Sequence, residues 1–249
     1  MRNLIIIFII VSCVLAAVGT GGFVYIADIF RPVQNDSMQI MDIRDFVKQP
    51  FIHGVPYDDV MKYDAAATVP ILIGLLKDPS YKAARAQIAT TLGMLGSPDA
   101  VEPLIELAES GEGELSPTEY DAKTGALGAL GLILNRQINA RAFDYLKAMA
   151  IGSPLTINKL KWASPSEDSI EKRNVEIART AIIALGFSGR KETEVFLKSL
   201  QKVSIVPTTL PLELKKSVDV TIKNALITNA AIQNGKESGL KNYYNKTLQ

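Results

Sequence analysis

The 249-residue chain is short of the residue types that build most catalytic and metal centres. It has one cysteine, Cys13, one histidine, His53, and one tryptophan, Trp162. Cys13 lies in an apolar run, so the sequence beyond it can form no disulfide and no thiolate metal site. A single imidazole excludes most zinc sites and nucleophile–base triads, and His53 reads as an ordinary surface or packing residue. Charge of one sign is also missing: 27 basic against 26 acidic side chains leave a net +1. A dedicated nucleic-acid binder would need a basic excess to neutralise phosphates. The acidic pairs Asp58/Asp59, Glu112/Glu114 and Glu167/Asp168 are local in sequence and suit helix starts and solvated loops. Nothing brings them into a hydrolytic carboxylate dyad. Gly19-Thr20-Gly21-Gly22 follows no strand and suits tight packing of an apolar helix better than a phosphate loop. The chain is therefore expected to be no enzyme, with no cofactor, no metal, no nucleic acid and no evident small-molecule substrate.

What the sequence does have begins at its N-terminus. From Asn3 to Ala27 there is no charged residue, and as a helix that stretch spans roughly 37 Å, more than a bilayer core requires. Residues 1–30 are read as a transmembrane anchor or signal segment. An uncleaved anchor would keep Arg2 in the cytoplasm and place Phe23, Tyr25 and Phe30 near the far interface. Ala16 and Ala17 after the apolar run suit a cleaved signal peptide. Ile10-Val11-Ser12-Cys13 resembles the lipobox of a lipoprotein acylated at Cys13, although the sequence stays apolar after the cysteine. All three readings put the rest of the chain outside the cytoplasm, periplasmic or extracellular. Residues 31–58 read as a linker and a capping helix over Ser37–Lys48, with Met38, Met41, Ile43 and Phe46 inward.

From residue 59 to 249 the pattern is helix after helix, with no convincing run of period two. Tyr63–Leu76 is ended by Asp78-Pro79, and Tyr81–Leu95 by Gly96, where a left-handed cap residue is wanted. Ser97 or Asp99 then starts a helix reaching Glu109. Self-similarity organises the rest. Leu92-Gly93, Leu130-Gly131 and Leu185-Gly186 each sit in a small, alanine-rich helix, and each is followed by a turn into a bulkier helix. Small residues let two helices approach closely, and the bulky face fills the groove between neighbouring repeats. Gly125, Gly128 and Gly131 read as one close helix–helix contact.

These segments resemble HEAT repeats, especially the short bacterial kind found in phycobilin lyases. Ala89–Leu104 carries the pattern through Leu92, Gly93, Gly96, Ala100, Val101 and Leu104, and Ala181–Leu197 through Ala184, Leu185, Gly186, Gly189 and Val195. The middle copy has Asn135 in place of the second glycine. The resemblance covers about Asp64 to Lys202, with Leu212–Tyr244 as a degenerate last pair. It implies an all-α fold: a HEAT-like α-α superhelix, a short solenoid of about four helix pairs, preceded by the N-terminal hydrophobic helix.

The Leu-Gly marks are unevenly spaced, and the excess falls in two inserts, Ser110–Asp121 and Gly152–Arg173. Inserts in repeat proteins emerge as loops, where binding contacts often lie. The second holds Trp162, which either pins the insert to the repeats or anchors a partner. In HEAT repeats the second helix of each pair lines the concave face, which here would present Lys82, Arg85, Lys123, Arg179 and Lys223 with few acids. Trp162, Lys82, Arg85, Lys123 and Arg179 are thus the candidate partner-binding residues, on a mildly basic groove suited to an acidic peptide. Outer helices would carry Glu102, Glu106, Glu109 and Asp144. The function expected is a membrane-tethered protein-binding scaffold or adaptor. The alternatives are a lyase-like accessory subunit acting on a partner protein and a structural subunit of an envelope complex.

Overall fold

Asp64 opens the first long helix: its carboxylate accepts a hydrogen bond from the Ala67 amide at 2.8 Å, satisfying a donor that the helix itself cannot. In the computed structural model the described residues are 40–51, 54–166, 169–202, 209, 211–235 and 238–247. The apolar N-terminal run, Cys13 with its lipobox, and His53 lie outside them. Two short helices come first, α1 (Ile43–Phe46) and α2 (Tyr57–Val60), and the helix capped by Asp64 is α3 (Ala65–Lys77). Asp78 then accepts from the Ser80 amide and winds Pro79–Ala84 into a 3-10 turn before α4 (Arg85–Leu95). The expected single helix over Tyr81–Leu95 is therefore two pieces. Proline, with no amide to donate, and the side-chain cap of Asp78 favour the tighter start.

Gly96 closes α4 with φ +73°, a conformation open to glycine at little cost. Ser97 caps a second 3-10 turn, Pro98–Ala100, which runs into α5 (Val101–Glu109). A reciprocal capping box, Ser116 with Glu119, starts α6 (Pro117–Arg136). There Asn135 stays helical, which is why the middle copy lacks the second glycine. Asn139 caps α7 (Ala140–Ala150), and α8 (Pro154–Ile157) lies in the second insert. Then come α9 (Ile170–Gly186), capped by Ser169, and α10 (Lys191–Leu200), α11 (Leu212–Asn234) and α12 (Gly239–Thr247).

Ile40–Gln249 forms one compact unit, mostly helical. In it α4, α6, α9 and α11 pack one on the next as an inner row, and α3, α5, α7 and α10 each pack against the inner helices beside them. Leu92, Leu130 and Leu185, the leucines of the Leu-Gly marks, are completely buried, together with Leu104, Leu146 and Leu197 of the outer helices. Each such side chain contributes about 1.5–3 kcal/mol by leaving water.

The glycines of those marks are the points of closest approach. A Cβ on Gly93 would sit 2.7 Å from Ala129 Cα, one on Gly131 would run into the Ala184 carbonyl, and one on Gly186 would lie 3.0 Å from Ala225 Cα. In α6 and α9 the helix thus turns a glycine to the next inner helix and the alanine two residues earlier to the one before, while α4 supplies only the glycine and α11 only the alanine. Two residues span about 200° of helix, so the two face opposite ways. The same rotation corrects the reading of Gly125, Gly128 and Gly131 as one contact. Gly125 faces Ala86 of α4 and Gly131 faces α9, while nothing lies within 4 Å of a Cβ on Gly128.

The ends of the row differ. At the start, α1 packs on α3 and α2 on α4, burying Ile43, Phe46 and Val60. Met41, expected inward, is 43% exposed. At the far end α12 does not form a last pair with α11 of the earlier kind. It doubles back to α2, stacking Tyr244 on Tyr57 at 6.0 Å and pairing Lys241 with Asp58 at 2.9 Å. The two inserts also meet. Gly113–Glu114 (β1) and Trp162–Ala163 (β2) form a parallel bridge in the register Gly113↔Trp162 and Glu114↔Ala163. Two residues per strand are too few to leave a period in the sequence.

Candidate functional site

Trp162 is 2% exposed. Its indole Nε1 donates to the Ala108 carbonyl at 3.0 Å, and the Tyr120 ring meets it edge-on at 6.1 Å. Lys123 Nζ and the Arg173 guanidinium lie 5.5 and 5.4 Å from the indole centroid, within cation–π range. The tryptophan pins the second insert to the end of α5, and in this state it offers no ring to a partner.

Lys123 is buried as well. It sits where α5 ends, donating to the Leu107 carbonyl at 2.9 Å, to the Ser110 carbonyl, and to Ser110 Oγ at 3.2 Å. A cation there complements the negative end of the helix dipole. Burial pushes its pKa down to about 8; the Glu119 carboxylate pulls it back up and Arg85 pushes it down. Arg173 does the same service for the second insert, donating to the carbonyls of Leu160 (3.1 Å) and Trp162, with its pKa lowered by burial. The two cations and the indole hold the inserts together.

Of the other candidates, Lys82 and Arg179 are accompanied by acids. Lys82 pairs with Glu119 at 2.8 Å, and that contact, with the Ser116 hydrogen bonds, holds the Glu119 carboxyl down to about 2. Arg85 starts α4 half-buried, with its Nε buried and lacking a hydrogen-bond partner. Arg179 binds Glu176 at 2.6 Å and Thr221 Oγ1 at 3.1 Å. The inner face is therefore not short of acids, because Glu119 and Glu176 sit within reach of the cations they neutralise. Lys82, Arg85 and Lys123 gather at the step from α4 to α6, whereas Arg179 lies apart, between α9 and α11. The outer-helix acids are paired too: Glu102 with Arg141 (2.7 Å), Asp144 with Lys147 (3.1 Å) and Glu109 with Lys159 (3.4 Å).

Among the described residues, two concavities of similar size open at the surface. One, about 380 Å³, runs between α9 and α11 over Ile183 and Val220, with Arg179 and Lys216 at its edges. The other, also about 380 Å³, lies at the helix ends beside Asn135, Arg136, Gly189 and Arg190, with the Arg190 guanidinium already bound to the Leu134 carbonyl. Among the described residues no group of three or more His, Cys, Asp or Glu could hold a metal ion, and no helix is long and apolar enough to cross a membrane.

Two rows of helices, held close by glycine on alanine and turned by capped, glycine-ended loops, are the architecture of an α-helical repeat protein. Residues 60–116 match the family model for HEAT repeats, a module that suggests a helical scaffold for protein interaction over that segment. That match spans α3, α4 and α5 and stops within the first insert. No curated protein and no solved structure matches the chain.

Sequence reasoning did not single out the exposed aliphatic residues of the last two inner helices, Ile183, Val220 and Ile227. A trace was there: Ala225-Leu226-Ile227 repeats Ala129-Leu130-Gly131 and Ala184-Leu185-Gly186 with isoleucine in the glycine place.

Proposed function

We propose that the chain is a non-enzymatic scaffold or adaptor, a HEAT-like superhelix tethered at a membrane by its N-terminal segment, which presents its inner helices outside the cytoplasm to a protein partner. One observation carries the reading. The inner helices α9 and α11 leave Ile183, Val220 and Ile227 in solvent beside basic side chains, although the same row buries Leu92, Leu130 and Leu185 completely. Adjacent exposed aliphatics rimmed by polar groups mark interaction surfaces. The HEAT repeat match supports an interaction role, and the uncharged run from Asn3 to Ala27 supports the tether.

The test is affinity capture of the tagged full chain from detergent-solubilised membranes of its source cells. One stoichiometric protein is the expected result. A clean preparation with no partner refutes the scaffold, and one carrying a bound pigment would turn the reading toward a lyase-like subunit. Intact-mass measurement of the mature chain tests the tether: an unprocessed N-terminus fits an anchor, and loss of the apolar run does not.

A further inference from the structure

The inner helices α4, α6 and α9 each turn a glycine toward the following helix, and α11 breaks the series. Ala225 keeps its place against Gly186, but two residues on stands Ile227, and among the described residues no inner helix packs beyond it. Ile227 is 59% exposed, and Val220, two turns earlier and so on the same face, is 56% exposed. Lys223 and Asn224 between them are exposed as well. The opposite end of the row is covered, with α2 against α4. Nor does α12 shield the free face of α11, since it departs beneath the helix end, where Gly239 lies against Ile232. Stacked repeats normally finish in an element with a polar outer face. Here the row finishes in two β-branched aliphatics with Lys216 and Lys223 beside them. Neither lysine has an ion-pair partner among the described residues.

We propose that this free face of α11 is a docking site for an α-helix of a partner protein, one that sets aliphatic side chains against Val220 and Ile227 and carboxylates against Lys216 and Lys223. The proposal rests on the scaffold reading and names where the partner sits. The occupant is a helix because a helix covers the equivalent face at each of the three earlier steps. It is held farther off than those helices, since Ile227 forbids the glycine-on-alanine approach. It belongs to a different protein for two reasons. A copy stacked head to tail would need the leading face of α4, which α2 already occupies. Two α11 faces joined about a twofold axis, Val220 against Ile227, would set Lys223 beside the other Lys223.

Fluorescence anisotropy tests this with a designed amphipathic helical peptide, leucines on one face and glutamates flanking them, and a second peptide with lysines in place of the glutamates. The full chain is expected to bind the glutamate peptide saturably. Val220→Asp with Ile227→Asp should weaken it by at least about tenfold. Lys216→Glu with Lys223→Glu should weaken the glutamate peptide and strengthen the lysine peptide. Both double variants change exposed side chains, and unchanged circular dichroism melts confirm that they fold. No saturable binding, or equal binding by the aspartate variant, overturns the site. A dimer in sedimentation that Ile227→Asp dissociates assigns the face to a second copy and also overturns it. If the aspartate variant captures the membrane partner as the unaltered chain does, this site fails while the scaffold reading stands; if the unaltered chain captures nothing, the scaffold reading itself fails.

Discussion

The step from α6 to α9 and the free side of α11 share one register and have opposite chemistry. At Gly131 the neighbouring helix comes so near that no side-chain atom fits. At Ile227 a branched side chain stands in water. The difference teaches what the repeated glycine is for. It adds nothing to a lone helix, where glycine costs about 1 kcal/mol against alanine, and is worth that only where another helix takes up the vacated space.

Exchanging the two residues is the severest way to break the comparison. Gly131→Ile should lower stability by more than about 4 kcal/mol, since a branched side chain would have to force the packed backbones of α6 and α9 apart. Urea unfolding followed by circular dichroism measures it, and a loss below about 1 kcal/mol would show that the row yields where it is taken to be rigid. Trp162→Ala should come next, at about 3 kcal/mol, because it empties a buried site and strips the Ala108 carbonyl of its donor. Unchanged stability after that substitution would mean that the inserts are not braced by the indole.

A smaller effect is expected from Lys123. Its folded pKa of about 8 lies below the ordinary lysine value of 10.5. Below pH 8 the ammonium is charged in both folded and unfolded chains, and folding bears the full penalty of burying it. Between the two values the unfolded chain holds a proton that the folded chain has released, so stability rises with pH there. Lys123→Met should abolish that rise in chemical-denaturation curves recorded from pH 7 to 10. Gly128→Ala sharpens the comparison from the other side. Three residues from Gly131 but with open space around it, the added methyl should stabilise α6 by about 0.5–1 kcal/mol, seen as a higher melting temperature. Ile227→Ala should change stability least, within about 0.5 kcal/mol, and so separate binding at that face from folding.

Much of the helical order could be read from the chain because its determinants are local. Asp64, Ser97, Ser116 and Asn139 cap helices from within three residues, and Gly96 ends one by its own backbone freedom. The Leu-Gly marks announced tight packing for the same reason: few other uses of glycine recur at one place in successive helices. The pairing of the two inserts escaped because it joins residues roughly fifty positions apart, with too little strand to leave an alternating pattern. Charge reading failed for a related reason. Lys82 looks free until the turn before α4 brings it to Glu119 on α6, and Lys123 looks exposed until the second insert closes over it. His53 and the N-terminal readings fall outside the described residues, so the membrane tether stands as a proposal on composition alone.

The clasp between α2 and α12 decides how the fold answers to tension. If residue 40 is drawn toward a membrane while a partner pulls near the C-terminus, the load reaches the Tyr57–Tyr244 stack and the Lys241–Asp58 pair before any contact inside the row. Those contacts are few, and the ion pair is exposed to water. α12 would peel away first, leaving α4, α6, α9 and α11 seated glycine on alanine. The clasp would be the sacrificial link if the chain were held at both ends.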